Sequence, residues 1–179
     1  CGGKSLSNGE GLEHVLELIS DKVASGYHDI VVLSAREKAT DQLEIMLEKA
    51  ASGQDYFSDF DAFEKYQRHT YSNIDLSYEF KGLAKLFEGV SLLGDYSPKI
   101  KDEVLAYGEL ISAKLITKLL IGKGVKAVFV DARTFLITDT AFGDAKVFEK
   151  PSREKLLSII ESLPIGTVPV ITGFIAATE

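Results

Sequence analysis

The sequence holds one cysteine, Cys1, three scattered histidines, His14, His28 and His69, and no dense cluster of lysine or arginine. A lone cysteine excludes an internal disulfide and leaves no thiolate set for a metal. The histidines share no ligand spacing, so each reads as a surface or boundary residue and no metal site is expected. With a formal net charge of -7 and dispersed cations, the chain lacks the electrostatic footprint of a nucleic-acid-binding surface or an anionic-membrane surface. No apolar run is long enough to span a bilayer and no signal-peptide pattern is present. Neither membrane nor nucleic acid is therefore expected as a partner, and the cytoplasm is the expected compartment.

What is present fits a folded domain. Hydrophobic residues make up 45% of the chain and charged residues 26%, a globular balance, and 179 residues can hold one domain of ordinary size or a large piece of a bigger one. No composition shift divides it. Residues 29–34 (DIVVLS), 126–130 (KAVFV) and 168–172 (VPVIT) are short apolar runs of the kind buried on both faces of a parallel sheet, and 134–139 (TFLITD) predicts a shorter strand. Between them lie helical patterns: one with Leu12, Val15, Leu16, Ile19 and Val23, another over about 40–51, and a third over 151–163 with Leu156, Leu157, Ile159 and Ile160 inward. Thr40 or Asp41 can cap the second. Residues 57–93 are aromatic-rich and mainly helical in pattern. With little basic charge between the rings, they read as packing in a helical insertion that covers one side of the sheet or pairs with another copy. This order predicts right-handed crossovers and a mainly parallel sheet with helices on both faces.

The longest helical pattern, 98–124, has Pro98 for its first turn, Gly122 or Gly124 for its stop, and a wide apolar face. Gly108 and Glu109 sit in its middle, with Ser112 one turn on. A carboxylate in so apolar a helix is costly to bury unless a cation meets it, and the glycine beside it permits close approach. Glu109 reads either as a structural ion pair or solvent-facing position, or as a residue awaiting a cationic ligand group. At the start of the chain, Gly2, Gly3, Lys4 and Ser5 form a Gly-rich turn leading into a helix, whose N–H groups could cradle a phosphate. This turn, the 34–41 loop and the loop at Gly173 are expected at the same sheet edge, the edge where open α/β sheets bind ligands.

These residues, taken in order, resemble an aspartate kinase catalytic domain of the amino acid kinase family. GGKSLSNGE is similar to the family's KFGGTS opening, VVLSAREKATDQL to its VLSA…TD.L loop, and GVSLLGDYSPK with YGELISAKL to its G..LLGE.TPK…GE.LSA segment. LITDTAFGDAKV and VPVITGFIAATE are similar to its later blocks. The 52–63 and 89–94 regions also resemble the bifunctional forms fused to homoserine dehydrogenase. The resemblance implies a three-layer α/β/α sandwich with a mainly parallel central sheet, the N-terminal part only of the amino acid kinase fold, with residues 1–179 a partial domain. It implies transfer of the γ-phosphoryl of ATP, carried with Mg²⁺, to the β-carboxylate of L-aspartate, giving 4-phospho-L-aspartate for lysine, threonine and methionine biosynthesis. A homo-oligomer is expected. By the family pattern Gly2 and Gly3 approach the phosphates, Ser5 lies near the transferred group, Thr40 and Glu109 hold aspartate with Glu109 at its ammonium, and Gly173 and Phe174 line the same pocket.

The departures are as informative. The family's catalytic Lys falls just before Cys1, Cys1 stands where Phe is expected and Lys4 where Thr is expected, and the LGRGGSD block falls after Glu179. The chain is therefore expected to be a portion of a kinase, inactive alone, without regulatory or dehydrogenase domains. Other members of the family that act on glutamate, acetylglutamate or a nucleotide, a non-catalytic binding or oligomerisation module, and a P-loop protein using Lys4 are the alternatives.

Overall fold

The computed structural model describes residues 3–7, 10–27, 29–68, 71, 73–141, 145–173, 175 and 177–178. A 3-10 turn, Gly3–Leu6, precedes α1 (Glu10–Ala24) and β1 (Val31–Leu33). Four helices follow, α2 (Ala39–Ala51), α3 (Phe57–Arg68), α4 (Ser77–Leu93) and α5 (Pro98–Gly122). The chain continues with β2 (Ala127–Val130), a 3-10 turn at Ala132–Thr134, β3 (Ile137–Thr138), α6 (Glu149–Ser162), β4 (Val168–Thr172) and β5 (Ala177–Thr178).

The three apolar runs form one parallel sheet in the order β1-β4-β2, with Leu33 opposite Thr172 and Val130 opposite Ile171. The central strand is buried at all five positions, the burial that a near-continuous apolar run anticipates. The last two strands, β3 and β5, pair in parallel as a separate small sheet. The expected 134–139 strand shrinks to two residues because the Asp131 carboxylate accepts from the Arg133 N–H at 3.0 Å and turns the chain through a 3-10 segment first.

Helix α5 packs along the sheet, and α1, α2 and α4 pack on α5. Its middle turns are buried on every side, from Gly108 to Ala113, so a polar residue there cannot reach solvent by rotating. Ser97 caps its start, accepting from the Ile100 N–H at 3.3 Å, with Pro98 in the first turn. Past its end, Gly124 takes the left-handed conformation at φ 84°.

The aromatics of 57–93 are packing groups. Phe60 meets Phe87 at 5.9 Å and Phe80 at 6.4 Å, both edge-on, inside the main core. Phe57, 68% exposed, and Tyr78, 84% exposed, depart from that pattern. Helix α4 lies on α2 and α5, so α5 and not this region is the layer against the sheet.

Three local expectations are corrected. Neither Thr40 nor Asp41 caps α2: the Ala39 N–H donates to the Arg36 carbonyl, starting the turn early, so Lys38 occupies the cap position and Thr40 falls inside the first turn. Helix α6 begins at Glu149, two residues before Pro151, which the first turn tolerates. Leu157 is 46% exposed, because it lies about 100° round the helix from Leu156 while Leu156 and Ile159 pack on a second cluster with Val130, Phe135 and Ile171.

A Cβ on Gly108 would sit 2.9 Å from the Cβ of Ala35, whereas one on Gly89, inside α4, would meet nothing within 4 Å. Glycine-to-alanine substitution is therefore expected to change sign between two helix interiors. Gly89→Ala should stabilise by about 0.5–1 kcal/mol through helix propensity. Gly108→Ala should destabilise by about 1–2 kcal/mol, as the forced shift outweighs the same gain. Urea unfolding of both variants checks the pair.

Candidate functional site

The C-terminal ends of the three parallel strands are joined by main-chain and side-chain hydrogen bonds. The Gly173 N–H donates to the Leu33 carbonyl at 2.7 Å, linking β4 to β1. On the other side the Ala132 N–H donates to Thr172 Oγ1 at 2.8 Å, linking β2 to β4. A side chain at Gly173 would place its Cβ 2.9 Å from the Leu33 oxygen, so the close approach requires glycine.

Helix α5 runs antiparallel to these strands and is much longer: 25 residues span about 37 Å, whereas five strand residues span about 17 Å. Its middle therefore lies beside the sheet edge and its first turns pass beyond it. There Ser112 Oγ donates to the Ser34 carbonyl at 3.0 Å, and the Ala35 N–H donates to Glu109 Oε1 at 3.3 Å. Glu109 is 6% exposed, and among the described residues no lysine or arginine forms an ion pair with it. Burial pushes its carboxyl above the ordinary glutamate value, against the opposing pull of the N–H bonds from Ala35 and its own backbone. The structural ion pair and the solvent-facing position are thus both removed as descriptions of Glu109.

The expected residues fall unevenly. Glu109 and Gly173 both attach to the 33–35 segment. Thr40 is exposed in the first turn of α2, and no hydrogen bond joins it to Glu109 among the described residues. Gly3 and Ser5 lie in the 3-10 turn, with Ser5 exposed. This turn is distinct from the N-terminus of α1, whose first turn carries Glu10 and Glu13, the latter paired with Lys123 at 3.1 Å. Gly2 and Phe174 lie outside the described residues.

Arg36 carries no mark of its own in the sequence beyond its place in the 34–41 loop. It is 0% exposed, and its Nε donates to the Leu6 carbonyl at 3.0 Å while Nη1 donates to the Gln67 carbonyl at 3.1 Å. Its neighbour Glu37 has φ 42°, in the left-handed region, and accepts a hydrogen bond from Tyr66 Oη. Nothing in the local pattern signals either feature. Among the described residues no three His, Cys, Asp or Glu side chains are grouped to hold a metal, and no helix is long and apolar enough to cross a membrane.

The sequence profile of the Amino acid kinase family matches residues 1–179. The chain belongs to that family. This amino acid kinase chain is 26% identical over 189 residues to bifunctional aspartokinase/homoserine dehydrogenase 2, chloroplastic, of Arabidopsis thaliana, covering 99% of the chain and 20% of that relative. It is also 26% identical to aspartokinase 3, chloroplastic, of Arabidopsis thaliana, covering 97% of the chain and 33% of that relative. Among solved structures it is similar to Escherichia coli aspartokinase III in complex with aspartate and ADP, with a TM-score of 0.80 and 22% identity, covering 100% of the chain and 40% of that structure. The fold is thereby the amino acid kinase fold, and the chain spans between a fifth and two fifths of these proteins' lengths.

The raised pKa of Glu109 has a definite sign in stability. Because the folded state holds this proton more tightly than the unfolded chain, the contribution of Glu109 is present below the ordinary glutamate value of 4.5 and is lost as pH rises through the folded-state value. Glu109→Gln, which stays neutral, should remove that decline. Thermal unfolding of the unliganded protein from about pH 4 to pH 8 should therefore show the variant gaining on the wild type as pH rises.

Proposed function

We propose that this chain forms part of an aspartate kinase, which transfers the γ-phosphoryl of ATP to the β-carboxylate of L-aspartate to give 4-phospho-L-aspartate and ADP. The observation that carries this reading is Glu109: a carboxylate buried beside the C-terminal edge of a parallel sheet, anchored by an N–H donor and lacking a cationic partner among the described residues. The ammonium of an amino acid supplies that partner. Its arrival lowers the carboxyl pKa and replaces lost hydration with a charge-assisted hydrogen bond. The aspartokinases to which the chain is similar, one of them in complex with aspartate and ADP, support aspartate and a nucleotide as the substrates.

In this reading the residues position and the substrates react. Glu109 binds the α-ammonium and so directs the β-carboxylate away from α5. The Leu33–Gly173 contact brings two strand ends together below the amino acid. Gly3 and Ser5 approach the ATP phosphates and Thr40 completes the aspartate site. A β-carboxylate oxygen forms the new bond to the γ-phosphorus as the bridging P–O bond breaks, and ADP leaves with that electron pair. Mg²⁺ arrives with ATP as part of the substrate and neutralises phosphate charge. Catalysis of this kind rests on alignment and charge compensation. The product's place in lysine, threonine and methionine biosynthesis follows from the same reading.

The test is a coupled assay of ADP formation with ATP, Mg²⁺ and L-aspartate, on the longest natural polypeptide that carries residues 1–179. L-aspartate should be required and L-glutamate should not replace it. Glu109→Gln should raise the KM for aspartate about 30- to 1,000-fold, as expected when about 2–4 kcal/mol is lost with one partner of a buried charge pair. ADP formation indifferent to aspartate, or unaltered kinetics in the variant, would contradict the assignment.

A further inference from the structure

We infer that Arg36 is a positioning residue that holds the Gly3–Leu6 turn and the 34–38 loop in fixed relation, and so aligns the nucleotide and amino-acid ends of the site. This rests on the aspartate kinase reading for its functional half; the mechanical half stands on contacts alone.

Arg36 gathers three distant segments. From the 34–38 loop its guanidinium reaches the Leu6 carbonyl in the 3-10 turn, and both the Gln67 carbonyl at 3.1 Å and Gln67 Oε1 at 3.4 Å at the end of α3. Its Cζ lies over the Tyr66 ring, 5.5 Å from the centroid. Two of the acceptors are main-chain carbonyls, which no side-chain substitution removes. A leucine or methionine would fill the volume and leave them without this donor, while a lysine carries one rotating ammonium in place of a rigid planar fork and cannot hold both in the same geometry.

The loop also resists relaxing by itself. Glu37 sits at φ 42°, a conformation a non-glycine residue rarely adopts, and the Tyr66 hydroxyl bonded to its carboxylate belongs to the ring beside which Arg36 lies. One residue before Arg36, the Ala35 N–H holds Glu109 at 3.3 Å. A shift of Arg36 is thus passed to the carboxylate anchor through a single peptide unit on one side, and to the turn bearing Gly3 and Ser5 through Leu6 on the other. In-line phosphoryl transfer is sensitive to displacements of this kind, whereas ground-state binding at each end is less so.

The experiment compares Arg36→Lys and Arg36→Met with the wild type in the longest natural polypeptide carrying residues 1–179, by steady-state kinetics and by amide hydrogen exchange. Tyr66→Phe is a third variant that removes the hydroxyl bonded to Glu37 and keeps Arg36. Both Arg36 variants should lose about 10- to 100-fold in kcat per folded molecule. The KM values for L-aspartate and ATP should stay within about threefold. Exchange at Ala35 should quicken by about tenfold or more, while Val170 in β4 keeps its protection. Tyr66→Phe should move the same quantities in the same direction by less. If Arg36→Met fails to fold, Arg36→Lys and Tyr66→Phe decide. Unchanged kcat and Ala35 exchange, or a uniform loss of protection that includes Val170, would overturn the inference. A wild type without aspartate-dependent ADP formation would instead remove the kinase reading and the alignment role, while the exchange data still decide the mechanical coupling.

Discussion

The hydrogen bond from the Ala35 N–H to Glu109 fixes how the longest helix meets the end of the sheet. It works together with the Ser112 hydroxyl on the Ser34 carbonyl and with the absence of a side chain at Gly108, which brings α5 against Ala35. Gly108, Glu109 and Ser112 of one helix thus latch onto Ser34 and Ala35, the two residues just past the end of β1. Once that register is set, the orientation of the other helices follows, because α1, α2 and α4 all pack on α5. The same latch leaves a carboxylate in a place where its charge is poorly compensated. The burial of Glu109 thus opposes stability, and under the proposed reading the same contact would serve ammonium binding.

Much of the architecture was legible because it follows from periodicity. The runs at β1, β2 and β4 were short, apolar and separated by helical patterns, which anticipates the parallel sheet; burial on both faces holds for β4 alone, since Val32 in the edge strand β1 is 50% exposed and β2 is only partly buried at three of its four positions. The 98–122 helix was legible from its apolar spacing and from Pro98. What the sequence could not show were contacts made by exceptions to a pattern. Leu157 belongs to an apolar cluster and yet points away from the packed stripe of α6. Thr40 has the chemistry of a helix cap, but the carbonyl of Arg36 starts the turn before it. The 134–139 strand was shortened by one local bond from the Asp131 carboxylate, which competes with sheet pairing.

The candidate site divides along the same line. Glu109 could be singled out because a charged residue breaks an apolar face, and Gly108 and Gly173 because glycine is unusual there; the structure gives both glycines backbone or Cβ contacts that a side chain would obstruct. Arg36 carried no such mark. Charged loop residues are ordinarily solvated, and its burial depends on carbonyls 30 and 31 residues away, a separation no local window spans. The Glu79–Lys114 pair between α4 and α5 was equally hidden, with Lys114 also 5.1 Å from the centroid of the Phe129 ring. Long-range polar contacts of this kind specify how the helices sit on one another, whereas the apolar pattern specifies only that they pack.

The central claim is that Glu109 is the seat of an amino-acid ammonium group. The most direct measurement is a crystal structure with L-aspartate bound. The account predicts aspartate at the C-terminal edge of β1 and β4, its nitrogen within hydrogen-bonding distance of the Glu109 carboxylate and its β-carboxylate directed toward the 3-10 turn at the start of the chain. Aspartate bound elsewhere, or bound at this edge with its nitrogen turned away from Glu109, would contradict it.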